Sequence, residues 1–141
     1  MTELKEIIIH EIGHWIIGNT YGLDGYIYKQ DDKHYSYILN DNLSMNKEDL
    51  EKTLTLSMGG LAANEICGHK NSGQYLGDIL VTFNHIKKYE EMNNKEFPYE
   101  KPGHVPLQLY APFLEKAKKI IEDYGGKEYL EAAFEHLTKN D

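Results

Sequence analysis

The stretch Leu4-Lys5-Glu6-Ile7-Ile8-Ile9-His10-Glu11-Ile12-Gly13-His14-Trp15-Ile16-Ile17 decides how this chain is read. Wound at about 100° per residue, its apolar members (Leu4, Ile7, Ile8, Ile9, Ile12, Trp15, Ile16 and Ile17) leave almost no polar face. A helix of that kind is covered on most sides. Thr2 reads as its N-cap, with Glu3 and Glu6 placed favourably in the first turn. Gly18 and Gly22 are expected to stop it near Asn19. His10 and His14 lie on one side of it, about 40° apart.

Outward from this helix, the rest of the chain is helical with one β interruption. Residues 25–30 and 34–39 are aromatic and β-branched and flank Asp31-Asp32-Lys33, which predicts a hairpin. Asn46-Lys47-Glu48-Asp49 resembles a capping box with a short acid, and opens a helix ended by Gly68. Gly59-Gly60 within that helix costs about 1 kcal/mol per glycine relative to alanine, so the pair is expected where the first helix comes close. A polar loop over residues 69–75 precedes a third helix over 76–93. Residues 97–106 hold three prolines and read as irregular. A C-terminal helical hairpin follows, with arms over 107–124 and 127–137 and a Gly125-Gly126 turn. Pro112 falls in a first turn or at a kink. The fold class is therefore mainly α, of α+β type.

With 141 residues and 40% hydrophobic content, the chain reads as one domain over residues 1–141. A mean hydropathy of −0.60 and no apolar run near 18 residues exclude a transmembrane segment. Glu3 and Glu6 ahead of a short apolar stretch do not make a secretory signal. One cysteine rules out an intramolecular disulfide, and a cytoplasmic location is expected. Twenty-three acids against 15 bases, a net charge of −8, argue against a nucleic-acid partner. Cys67 reads as a small core residue, and the hairpin tyrosines as cross-strand packing.

The chemistry lies in His10-Glu11-Ile12-Gly13-His14. Polar groups are costly to bury unless satisfied. Three of them on a buried helix need a shared partner, which favours a metal over hydrogen bonding alone. Zinc accepts two imidazoles at about 2.0–2.1 Å. Glu11, one residue past the first histidine, reaches a zinc-held water whose pKa the metal lowers to about 7. It can take that proton and pass it to a leaving amine. This is the HExxH metalloprotease pattern. A catalytic zinc needs a third protein ligand, and Asp78, Glu65, His69 and His85 are all candidates. Glu65, in an otherwise apolar turn, could instead orient a ligating histidine. Spacing does not choose among the four.

The chain resembles the peptidase domain of FtsH-type membrane-bound AAA metalloproteases. His10 to Trp15 is similar to H-E-A-G-H-A, and Asn46-Lys47-Glu48-Asp49-Leu50 to T-K-E-E-L. The run from Ser57 through Gly59-Gly60 to Glu65-Ile66 resembles L-G-G-R-A-A-E-E-I, with Leu61 for the arginine and Asn64 for the first acid. Ser72-Gly73 followed by Gly77-Asp78-Ile79 resembles S-T-G-A-S-N-D-L, with one extra residue and Gly77 for asparagine. The resemblance implies His10, His14 and Asp78 as zinc ligands and Glu11 as the base, with Glu65 the second choice for the third ligand. The HExxH motif begins at residue 10, and neither a phosphate-binding loop nor a membrane anchor is found, so a stand-alone peptidase domain is expected.

The function expected is zinc-dependent, ATP-independent endoproteolysis of unfolded or extended polypeptides. A homo-oligomer and a separate unfoldase are compatible partners. The alternatives are an inactive interaction module of the same fold and a regulatory protease with one target. Glu11 speaks against the module, which needs no general base. An exposed strand edge of the hairpin, residues 34–39, is the expected seat for substrate.

Overall fold

A computed structural model describes residues 2–69 and 74–139. Among them the elements are α1 (Thr2–Thr20), β1 (Gly25–Asp31), β2 (His34–Leu39), α2 (Lys47–Ile66), α3 (Gln74–Met92), α4 (Ala111–Tyr124) and α5 (Gly126–Thr138). Two 3-10 turns, Pro102–His104 and Leu107–Leu109, precede α4. The architecture is mainly helical with one two-stranded antiparallel hairpin. Among the described residues no helix is long and apolar enough to cross a membrane.

The near absence of a polar face on α1 is explained by its position. It packs against α2, both strands, α4 and α5, and Ile8, Ile9, Ile16 and Ile17 are fully buried. Thr2 is the first helical residue rather than the cap before it. The expected close approach is present. A Cβ on Gly13 would overlap the Gly59 carbonyl oxygen and lie 2.7 Å from the Ala63 Cβ, and one on Gly59 would lie 2.8 Å from the Gly13 carbonyl oxygen. The backbones of α1 and α2 touch there. That contact offsets the conformational cost of the glycines.

Gly18 does not end α1, which continues to Thr20. Its lack of a side chain serves packing, because a Cβ there would collide with the Tyr37 hydroxyl, as would one on Gly25. Tyr37 thus crosses the end of α1 and fastens the hairpin to it. In the register Ile27 faces Tyr37 and Tyr26 faces Ile38. The Tyr37 N–H points away from β1 and donates to Glu11 Oε1 at 2.8 Å.

At the start of α2, Asn46 accepts the Asp49 N–H at 2.9 Å. The reciprocal half of a capping box is missing. Asp49 is one methylene shorter than the usual glutamate, and its carboxylate takes the Ser44 N–H and hydroxyl at 2.9 and 2.8 Å instead. At the other end Gly68 has φ 75°. Its N–H reaches Glu65 O at 3.0 Å and the His69 N–H reaches Asn64 O at 2.8 Å, a Schellman closure. The C-terminal hairpin begins at Ala111 rather than 107. Pro112 lacks the N–H that a helix running through from Leu107 would require, so it occupies the first turn of α4.

Candidate metal centre

α1 carries His10 and His14, and α3 brings Asp78 to them across the molecule. Asp78 Oδ2 lies 3.0 Å from His10 Nε2 and 3.2 Å from His14 Nε2. The two Nε2 atoms are 3.1 Å apart. Both histidines are buried, and Asp78 is partly exposed. The spacing follows from α1 itself, since residues four apart stack on one helix face.

A stripe along α2 holds the imidazoles in place. Leu56, Gly60 and Asn64 are four residues apart and face α1. His14 Nδ1–H donates to the Leu56 carbonyl oxygen at 2.7 Å. The His10 ring lies where a Cβ on Gly60 would be, and its Nδ1–H donates to Asn64 Oδ1 at 3.4 Å. Asn64 is fixed in turn, its amide nitrogen donating to Glu6 O at 3.0 Å and to His69 Nδ1 at 3.1 Å. With Nδ1 as donor in both rings, both Nε2 lone pairs face the cluster.

Three acceptors, two lone pairs and a carboxylate oxygen, thus converge within 3.0–3.2 Å of one another. Such an arrangement requires a positive centre, either a proton or a cation. Burial pushes the His14 pKa down, but the hydrogen bond and charge of Asp78, helped by the charge of Glu11, override it and raise it to about 9. Burial pushes the Asp78 carboxyl up, yet its hydrogen bonds to His10 and His14 and their charge hold it well below the usual carboxylate range. A tetrahedral zinc with ligands at about 2.0–2.1 Å places its donor atoms about 3.3 Å apart. His10, His14 and Asp78 are the described residues whose donor atoms come together as a metal would need, and their spacing fits that value.

Glu11 stands beside this cluster, outside the donor set. It lines a cavity of about 230 Å³ together with His14, Tyr37, Leu39, Asp78 and His85. A larger apolar groove, about 480 Å³ between α1, β1 and α5, includes Trp15 and Tyr129 but is lined by no acid.

Glu65, expected as second choice for the ligand or as an orienting acid, does neither. It is exposed and pairs with Lys118 of α4. One residue along a helix turns the side chain by about 100°, so Asn64 faces α1 and Glu65 faces α4. Lys118 thereby ties α4 to α2. His69 contacts Asn64 and not the cluster. His85 shares the cavity but lies outside the donor set. The Ser72-Gly73 part of the resemblance lies outside the described residues. Asn64 was missed, although its position four residues after Gly60 would have flagged it. The Leu56 carbonyl has no side-chain signature. Compared with known proteins, the chain matches no family model, no curated protein and no solved structure.

Proposed function

We propose that this chain is a zinc-dependent endopeptidase that hydrolyses unfolded or extended polypeptides, with the fold of an FtsH-type peptidase domain. The observation that carries the reading is the convergence of His10 Nε2, His14 Nε2 and Asp78 Oδ2 within 3.0–3.2 Å of one another, with Glu11 on the wall of the same cavity. His10, His14 and Asp78 would hold the ion and leave one position of a tetrahedral site open. Zinc bound there supplies Lewis acidity, lowering the pKa of water to about 7 and polarising a carbonyl.

The remaining steps belong to the chain. Glu11 keeps one carboxylate oxygen on the Tyr37 N–H, so its other oxygen is free to take the proton of the attacking water. It then delivers that proton to the departing amine. The Tyr37 N–H lies on the outer edge of β2, the side on which an extended substrate would pair. Glu11 takes one bonding position of that edge, which corrects the expectation of an open edge over residues 34–39. Substrate main chain would then pair along β2 beside Tyr37, toward Leu39, which lines the cavity. The enzyme is read as cytoplasmic and independent of ATP, with folded substrates supplied by a separate unfoldase.

The test is cleavage of casein by the zinc-loaded chain. Cleavage abolished by a chelator, restored by zinc and reduced 10²–10⁴-fold in Glu11→Gln supports the reading. Zinc binding with no cleavage by the wild type would favour the interaction module.

A further inference from the structure

His85 sits two turns along α3 from Asp78, and Asp78, Thr82 and His85 present one helix face to the candidate site. Helical side chains lean toward the N-terminus of their helix, the direction in which Asp78 lies from His85. The space they line is about 230 Å³, of the order of one large residue with its flanking peptide units. Glu11, Asp78 and His85 thus border one and the same space.

The ring is also left with unused hydrogen-bonding capacity. His85 Nδ1 is buried with no partner, as is Thr53 Oγ1 on the α2 wall of the same cavity. An unpartnered buried N–H is a rarer and costlier arrangement than an under-used acceptor. The ring proton accordingly sits on Nε2, on the accessible side. Burial also pushes the His85 pKa down, so the ring is neutral and donates one N–H. The neighbouring Thr82 hydroxyl turns back onto its own helix, donating to the Asp78 carbonyl oxygen at 2.7 Å.

We propose that His85 is a catalytic residue whose Nε2–H donates to the carbonyl oxygen of the peptide bond being cleaved, stabilising the charge that oxygen acquires. This inference rests on the endopeptidase reading. The balance is simple. Water adds to the carbonyl carbon, the C=O electron pair moves onto oxygen, and His85 hydrogen-bonds that oxyanion without transferring its proton. As the C–N bond breaks, the pair returns and the amine leaves with the proton carried by Glu11.

The test compares wild type, His85→Phe, which keeps the ring volume without a donor, and His85→Gln, which keeps a donor amide. Zinc content and the urea midpoint of each chain are measured alongside kcat and KM on an unfolded peptide. Losing one such donor costs on the order of 10²–10³-fold in kcat. The expected result is that loss in His85→Phe with KM, zinc content and unfolding midpoint close to wild type, and partial recovery in His85→Gln. Binding of a zinc-directed phosphonamidate peptide, which carries the tetrahedral oxyanion, should weaken in parallel. Nitrogen-15 spectra of the wild type should show the Nε2–H tautomer of His85, with its signal moving when the phosphonamidate binds. Wild-type kcat in His85→Phe, equal losses in both variants, or losses that follow zinc content would overturn the assignment. A wild type that binds zinc and phosphonamidate but cleaves nothing would instead count against the endopeptidase reading, while the His85 signal would still report on the proposed contact.

Discussion

Replacing Gly60 with alanine should separate the candidate metal centre from the fold. A Cβ at that position falls on the His10 imidazole, closer than any real contact to its Cε1, Nδ1 and Nε2. Carbon atoms pack at about 3.5–4.0 Å, so the ring must move by roughly 1 Å or more. The ring is the end of a rotatable side chain, and the backbones of α1 and α2 need not part. Alanine gains about 1 kcal/mol over glycine in a helix interior. Metal-free Gly60→Ala should therefore unfold at the same urea concentration as wild type or slightly higher. Zinc affinity should behave in the opposite way. The 3.0 and 3.1 Å distances from His10 Nε2 to Asp78 and His14 cannot be kept once the ring is displaced. Changes to groups that merely orient a ligand cost about 10–100-fold in affinity, and displacing the ligand itself should cost at least 100-fold. The assay is competition for zinc with a chromophoric chelator, beside urea unfolding in excess chelator. Zinc affinity within threefold of wild type would show that His10 does not hold the ion in this geometry. Destabilisation of the metal-free chain by more than about 2 kcal/mol, a core-overpacking effect, would show that the candidate centre and the fold do not separate.

Two further predictions concern the residues around the cluster. Asn64→Ala should weaken zinc binding about 10–100-fold by freeing the His10 ring, whereas Glu65→Ala should leave it unchanged; the same chelator competition checks both, and the reverse order would restore Glu65 as a metal-site residue. The metal-free protein should lose stability as the pH rises. His14 has its folded pKa raised from 6.5 to about 9, so its contribution is complete below 6.5 and disappears as the pH passes through about 9. At about 1.4 kcal/mol per unit the loss is on the order of 3 kcal/mol. Asp78, with a lowered pKa, contributes above its ordinary value of 3.8 and loses that contribution as the pH falls. Urea unfolding in chelator at pH 5.5 and 9.5 should show this drop, and His14→Gln should abolish it. An unchanged midpoint in the wild type would show that no proton bridges His14 and Asp78.

What was legible in the sequence was what depends on period and punctuation. The apolar wrap of α1, the hairpin around Asp31-Asp32-Lys33 and the contact at Gly59 each follow from local pattern. The i, i+4 relation of His10 and His14 needed no tertiary knowledge. Choosing among Asp78, Glu65, His69 and His85 did, because it depends on which face of α2 and α3 turns toward α1. A rotation of one residue separates Asn64, which touches His10, from Glu65, which touches Lys118. Gly18 looked like a helix stop because glycine usually marks one, and its actual reason, the passage of Tyr37, lies nearly twenty positions away. The Tyr37 N–H and the Leu56 carbonyl are main-chain groups, invisible to any reading of side chains.

Whether His10, His14 and Asp78 together hold one zinc ion is decided by a zinc titration by calorimetry of wild type and Asp78→Ala at pH 7.5. The expected result is one ion per chain for the wild type and a loss of affinity of at least 100-fold for Asp78→Ala, with proton release on binding because the ion displaces the proton from His14. Full-affinity binding by Asp78→Ala, or no zinc bound by the folded wild type, would contradict it.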